Sequence, residues 1–255
     1  MQTHNRSTTM KKILALTSLM LASISSYAAP VDLSTWQEEG AGNWTLAVDN
    51  NSVFQSLNTT TPAVFYNNTN SQGLALSGQI TVEESRGDDD FIGFVLGYDT
   101  GDATNASANY LLIDWKQADQ SLSGSVFGTA GLAISEVSGI FDFNEFWSHS
   151  GVVNELQRGT NLGSTGWADN TTYDFDLIFN ATNVQVQVNG VTELNISGTF
   201  TNGSFGFYNM SQASVRYAGI EQVIAPPPPN GIPSPSALLL MGIGLLSLRA
   251  TRRKA

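Results

Sequence analysis

Short apolar–polar alternations, each ended by a cluster of Asn, Gly, Asp, Ser or Thr, fill the chain from Val31 to Ile224. A two-residue period recurring roughly every 8–12 residues leaves a β-sandwich or barrel as the fold class. Within Leu74–Glu84, residues Leu74, Leu76, Gly78, Ile80 and Val82 share one face, the pattern of a half-buried strand. Tyr173, Phe175, Leu177 and Phe179 alternate with Asp174 and Asp176 in the same way. Asn189-Gly190 favours the positive φ angles of a tight turn, so Val184–Val188 is expected to pair antiparallel with Val191–Ile196. Val31–Trp36 reads as a further strand, and the one short helix is expected around Asn144–Trp147. No fixed repeat is visible, which argues against a propeller or solenoid. The pattern describes one domain over residues 29–224.

The 255-residue chain has no cysteine, so no disulfide staples this domain, and a core of this size is stable without one. Its charge is unevenly placed. Seven of the eleven basic residues lie near the ends, which leaves Arg86, Lys116, Arg158 and Arg216 against all 22 acidic residues. So acidic a body repels phosphate and anionic headgroups, which excludes nucleic acid as a partner.

The ends read as addresses. Lys11-Lys12, the apolar run Ile13–Ile24 and the small residues Ser26 and Ala28 form the three regions of a secretory signal peptide over residues 1–28. Met10 is a candidate start. At the other end, Pro226–Pro229 lies in a stiff linker over 225–231. Residues 232–255 then hold Ile232-Pro233-Ser234-Pro235, the apolar segment Ala237–Leu248 and a basic tail of Arg249, Arg252, Arg253 and Lys254. This end resembles the PEP-CTERM sorting signal of Gram-negative bacteria, with Ser234 where the commonest form has Glu. The resemblance implies an exosortase as partner and transient anchoring in the inner membrane. It also implies delivery to the cell surface or the extracellular matrix. The plain alternative is a tail anchor, for which ~12–16 apolar residues is short.

At the centre lies Asp88–Gln117, where three carboxylates, Asp88, Asp89 and Asp90, precede two apolar runs around the polar loop Asp99–Asn109. The stretch reads as a β-hairpin with an acidic open end. Adjacent carboxylates repel one another, and a hard divalent cation with 6–8 oxygen ligands relieves that repulsion. If the arms pair symmetrically, Asp114 comes within reach as a further oxygen ligand and Lys116 as a salt-bridge partner. The residues equally allow an acidic turn that keeps a sheet edge soluble.

Asn43-Trp44, Asp88–Tyr98 and Tyr110–Gln117 with its Trp-Lys-Gln ending resemble the thrombospondin C-terminal domain. So do Phe146–Gly151, Gly166-Trp167 before Thr172–Phe179, and Gly203–Met210 followed by Ser211-Gln212. The resemblance implies a concanavalin A/L-type lectin-like jelly roll of two antiparallel sheets, with bound Ca2+ and a role in adhesion. It departs in lacking the calcium-binding repeats that precede the domain in thrombospondins, in a longer loop 99–109, and in Asp114 at an expected apolar position.

Other candidates are weaker. Asp99, Asp102 and Asn105 form a loose oxygen cluster in the hairpin loop, and Trp167 stands between small residues as an exposed contact for a sugar. Trp36, Trp44, Trp115 and Trp147 are expected in the core. Asp142 reads as a helix cap and His149 as a packed or hydrogen-bonded residue beside Trp147. Asp174 and Asp176 have glycosidase-like spacing but face solvent by alternation. The expected function is a non-enzymatic, calcium-binding adhesion domain contacting an extracellular polysaccharide or surface glycoprotein. The alternatives are a carbohydrate-binding lectin module and a polysaccharide-cleaving enzyme.

Overall fold

A computed structural model describes residues 28–84, 87–124 and 126–226. The alternating runs become strands β1 (Ala29–Pro30), β2 (Gln37–Gly40), β3 (Trp44–Leu46), β4 (Ser52–Gln55), β5 (Ala63–Tyr66) and β6 (Leu74–Val82). The central hairpin is β7 (Phe91–Tyr98) and β8 (Asn109–Lys116), followed by the ribbon β9 (Gln120–Ser123) and β10 (Val126–Gly128). Next come β11 (Gly131–Ser138), helix α1 (Phe143–Ser148) and β12 (Val153–Arg158). β13 (Thr172–Asn180), β14 (Asn183–Val188), β15 (Val191–Ser197), β16 (Ser204–Met210) and β17 (Val215–Ile224) complete the order.

Two antiparallel sheets result, the jelly-roll sandwich that the alternation and the resemblance led us to expect. One runs β15-β14-β13-β6-β17-β4-β3, with β1 on β17; the other runs β12-β11-β8-β7-β16-β5-β2. Their facing sides bury Leu76, Ile80, Phe175, Leu177 and Tyr217 against Phe94, Ile113, Trp115, Ile134 and Phe207. A second cluster covers the other side of β7 and β8, where Tyr66, Phe91, Val95, Leu112 and Tyr208 pack under Phe146 and Trp147. Both hairpin arms are therefore buried on two faces, which is why they read as continuous apolar runs.

The period of two decides what β8 presents. Leu111, Ile113 and Trp115 enter the main core, and Tyr110 and Leu112 enter the outer cluster. Asp114 and Lys116 share the parity of Tyr110 and Leu112, so two charged side chains point into a layer of aromatic rings.

Local differences have local causes. Val31–Trp36 holds a 3-10 turn at Leu33–Thr35 rather than a strand, because Asp32 Oδ1 accepts from Ser34 N (2.9 Å) and caps it. The expected helix is found at Phe143–Ser148, and Asp142 Oδ1 caps it by accepting from Asn144 N and Glu145 N. Val188 pairs with Val191 across Asn189-Gly190 as expected.

Gly93 lies against the β8 backbone: a Cβ there would lie 2.0 Å from Ile113 O. Gly93→Ala is expected to lower the unfolding free energy by roughly 1–3 kcal/mol, the usual cost of overpacking. Urea unfolding followed by tryptophan fluorescence measures it, and an unchanged midpoint would contradict this packing.

Candidate functional site

The register of the hairpin sets Phe91 opposite Lys116 and Gly93 opposite Asp114. Lys116 is 0% exposed, and a lysine so placed is tolerated only when its charge is fully met. Nζ donates to Asp90 Oδ1 (2.7 Å), Asp89 Oδ1 (3.2 Å), Asp89 O (3.0 Å) and Gln120 Oε1 (3.0 Å). The Trp147 and Phe91 rings stand 4.7 and 5.3 Å from it, close enough for cation–π attraction. The acidic backbone is pinned as firmly. Gln212 Oε1 accepts from Asp90 N, Trp167 Nε1 donates to Asp90 O, and Gln117 N donates to Asp89 O.

Asp88 lies at the outer side of this group, with Asn58 Nδ2 donating to its Oδ2 (2.6 Å). Burial, then the neighbouring Asp90 and Asp89 charges, push its carboxyl up to about 7. It lines an open cavity of about 850 Å3 with Phe54, Ser56, Asn58, Glu83, Glu84 and Ser214. Arg216 pairs with Glu83 beside this cavity and stacks on the Phe54 ring.

Asp114 goes elsewhere. Its Oδ2 accepts from His149 Nε2 (2.9 Å), while His149 Nδ1 donates to Glu155 Oε2 (2.9 Å) and Arg158 donates to both Glu155 oxygens. Burial opposes a charged imidazole here, but the Asp114 carboxylate and both hydrogen bonds outweigh it and raise His149 to about 10. The His149 bond, opposed in part by burial, and Arg158 hold Glu155 at about 2. His149, Glu155 and Arg158 line a polar pocket of about 250 Å3 with Thr129, Trp147 and Ser148.

The loop cluster is brought together, but its oxygens serve the loop. Asp102 Oδ2 accepts from Asp99 N and its Oδ1 from Asn105 Nδ2, while Glu39 accepts from Gly101 N and Ala103 N. Trp167 requires a correction. It does lie in a loop, yet its ring is 2% exposed and belongs to the main core, so it presents nothing to a ligand.

The chemistry of the donor set bears directly on calcium. Two of the four expected ligands, Asp89 and Asp90, already grip an ammonium, and Asp114 is bound to His149. Among the described residues no group of three or more Asp, Glu or His side chains is gathered to hold a metal ion. Asp88 is the one of the four that neither Lys116 nor His149 holds; its side-chain partner is Asn58.

Residues 39–224 match the thrombospondin C-terminal region. The chain belongs to that family. No curated protein matches it in sequence. Among solved structures, the carbohydrate-binding module CBM66 from Bacillus subtilis superposes with a TM-score of 0.52 at 9% identity, over 74% of this chain and 95% of that one. A Bacillus subtilis protein of unknown function with a galectin-like fold gives 0.53 at 15%, over 78% and 95%. The exoplasmic/lumenal domain of VIP36, bound to Ca2+ and Man2, gives 0.51 at 12%, over 78% and 84%. These likenesses establish a lectin-like jelly roll for the thrombospondin C-terminal domain described here. Of the expected signal peptide 1–28, residues 1–27 lie outside the described residues, as does the whole of the expected sorting segment 232–255. Among the described residues no helix is long and apolar enough to cross a membrane.

Lys116→Met is expected to cost about 3–5 kcal/mol in denaturant unfolding, because it strands two carboxylates beside a buried slot. A loss under about 1 kcal/mol, typical of exposed pairs, would contradict the clasp. His149 gives a pH dependence. Its folded value lies above the ordinary 6.5, so its stabilisation is complete below pH 6.5 and is lost as pH rises towards 10. His149→Gln is expected to flatten the fall in melting temperature between pH 7 and 10, and an unchanged slope would contradict it.

Proposed function

We propose that the protein is an exported, non-enzymatic adhesion domain that holds a neutral glycan of an extracellular polysaccharide or surface glycoprotein at the mouth of its central hairpin. The observation that carries this is the open cavity beside Asp88. It offers carboxylates, a side-chain amide and hydroxyls around an aromatic ring, groups suited to paired sugar hydroxyls and one apolar sugar face. CBM66, a carbohydrate-binding module, and VIP36, solved bound to Ca2+ and Man2, share the fold and support the reading. The acidic body narrows the ligand class. Polyanionic glycans would be repelled, so neutral or amino sugars are favoured. Export through the N-terminal segment and sorting through the C-terminal one belong to the same proposal.

Affinity electrophoresis in neutral and in uronic-acid-rich polysaccharides tests it. Retardation by a neutral glycan is expected, weakened roughly tenfold by Asp88→Ala through loss of a charge-assisted hydrogen bond. Binding only to polyanions, or none at all, would count against it.

Calcium is the second reading, and Asp88 favours it. Lys116 meets one side-chain oxygen each of Asp89 and Asp90, whereas Asp88 still carries the repulsion of both. A cation there would draw on Asp88, Asp89 and cavity oxygens rather than on Asp114. The melting temperature is expected to rise with millimolar calcium in the wild type and not in Asp88→Asn. Equal responses in the two proteins would sink the site.

A further inference from the structure

Lys116 and Asp90 place a primary amine against a carboxyl group in a dry and rigid setting. The lysine is 0% exposed and the aspartate 4%, with Nζ 2.7 Å from Asp90 Oδ1. Lys116 ends β8 opposite Phe91, the first residue of β7, and Asp90 immediately precedes Phe91. The Phe91 and Trp147 rings wall the nitrogen. Gln212 and Trp167 fix the Asp90 backbone from both sides. An exposed salt bridge needs none of this enclosure.

We propose that Lys116 and Asp90 are the two halves of an intramolecular isopeptide bond, joining Nζ to the Asp90 side-chain carbonyl carbon. Nζ attacks Cγ, the C–N bond forms, and one Asp90 oxygen leaves as water. Both hydrogens of that water come from the lysine ammonium, and the carboxylates of Asp89 and Asp88 alongside relay them and are regenerated. No oxidant, metal or nucleotide is consumed, and a cation and an anion become one neutral amide.

Physical chemistry favours the step. Keeping an ammonium and a carboxylate out of water is costly, and an amide removes that cost. Lysines become nucleophiles when desolvated in apolar surroundings. Reactants held in fixed contact behave as if at about 10⁵ M or more. The bond would tie the start of β7 to the end of β8, a covalent staple in a chain without cysteine.

Trypsin digestion of the denatured full-length protein, read by mass spectrometry, decides it. An unlinked chain is cut after Arg86, Lys116 and Arg158, and releases Gly87–Lys116 and Gln117–Arg158 as two peptides of full mass. A linked chain has no free cation at Lys116 for the protease to recognise. It yields Gly87–Arg158 as one peptide, lighter than its sequence by one water. That single peptide is expected from the wild type, and Lys116→Arg is expected to return two. Two full-mass peptides from the wild type would overturn the proposal and leave an ion pair.

Discussion

The buried ammonium of Lys116 sits where three successive carboxylates would otherwise face one another at the open end of a fully buried hairpin. Two of them bind it directly, and backbone bonds from Gln212, Trp167 and Gln117 converge on the same short segment. The aromatic layer above depends on this arrangement as well, since Phe91 and Trp147 pack around the lysine as much as on each other. A lysine without these partners could not be kept in that layer, and the acidic triplet could not be brought to the start of β7 without it. Sheet register, charge and outer packing therefore meet at one atom.

This internal cation changes what an acidic surface means for function. A triplet of aspartates invites a metal, yet here the chain supplies part of the counter-charge itself. What remains for an external partner lies to one side, at Asp88 and the cavity it shares with Asn58 and Glu83. The same logic operates a few residues along β8, where Asp114 is met by His149, that imidazole by Glu155, and Glu155 in turn by Arg158. Two of the basic residues in so acidic a body are thus spent on holding buried or half-buried carboxylates, and the outer face keeps its negative field.

Much of this was legible in the sequence. Strand periodicity, the Asn189-Gly190 turn and the hairpin bounds depend on local pattern, and the structure follows them closely. The meeting of Lys116 with Asp89 and Asp90 was legible too, because a symmetric hairpin fixes which residues face each other. The Asp114–His149 contact was not: 35 residues separate the two, and only the folding of α1 over the sheet brings them together. Trp167 misled for a related reason. Small neighbours correctly marked a loop, but they carry no information on which way the indole turns, and Asp90 O, its acceptor, lies 77 residues away. The 3-10 turn at Leu33 was hidden because Asp32 can cap a turn as readily as it can flank a strand.

Lys116 and Asp90 stabilise the fold as a unit. A double-mutant cycle with Lys116→Met, Asp90→Ala and both together, read by urea unfolding, addresses it without assuming what either side chain does alone. A coupling of at least about 1.5 kcal/mol is expected, the lower end of what close charge pairs give. Additive losses would contradict it and reduce the clasp to two independent residues.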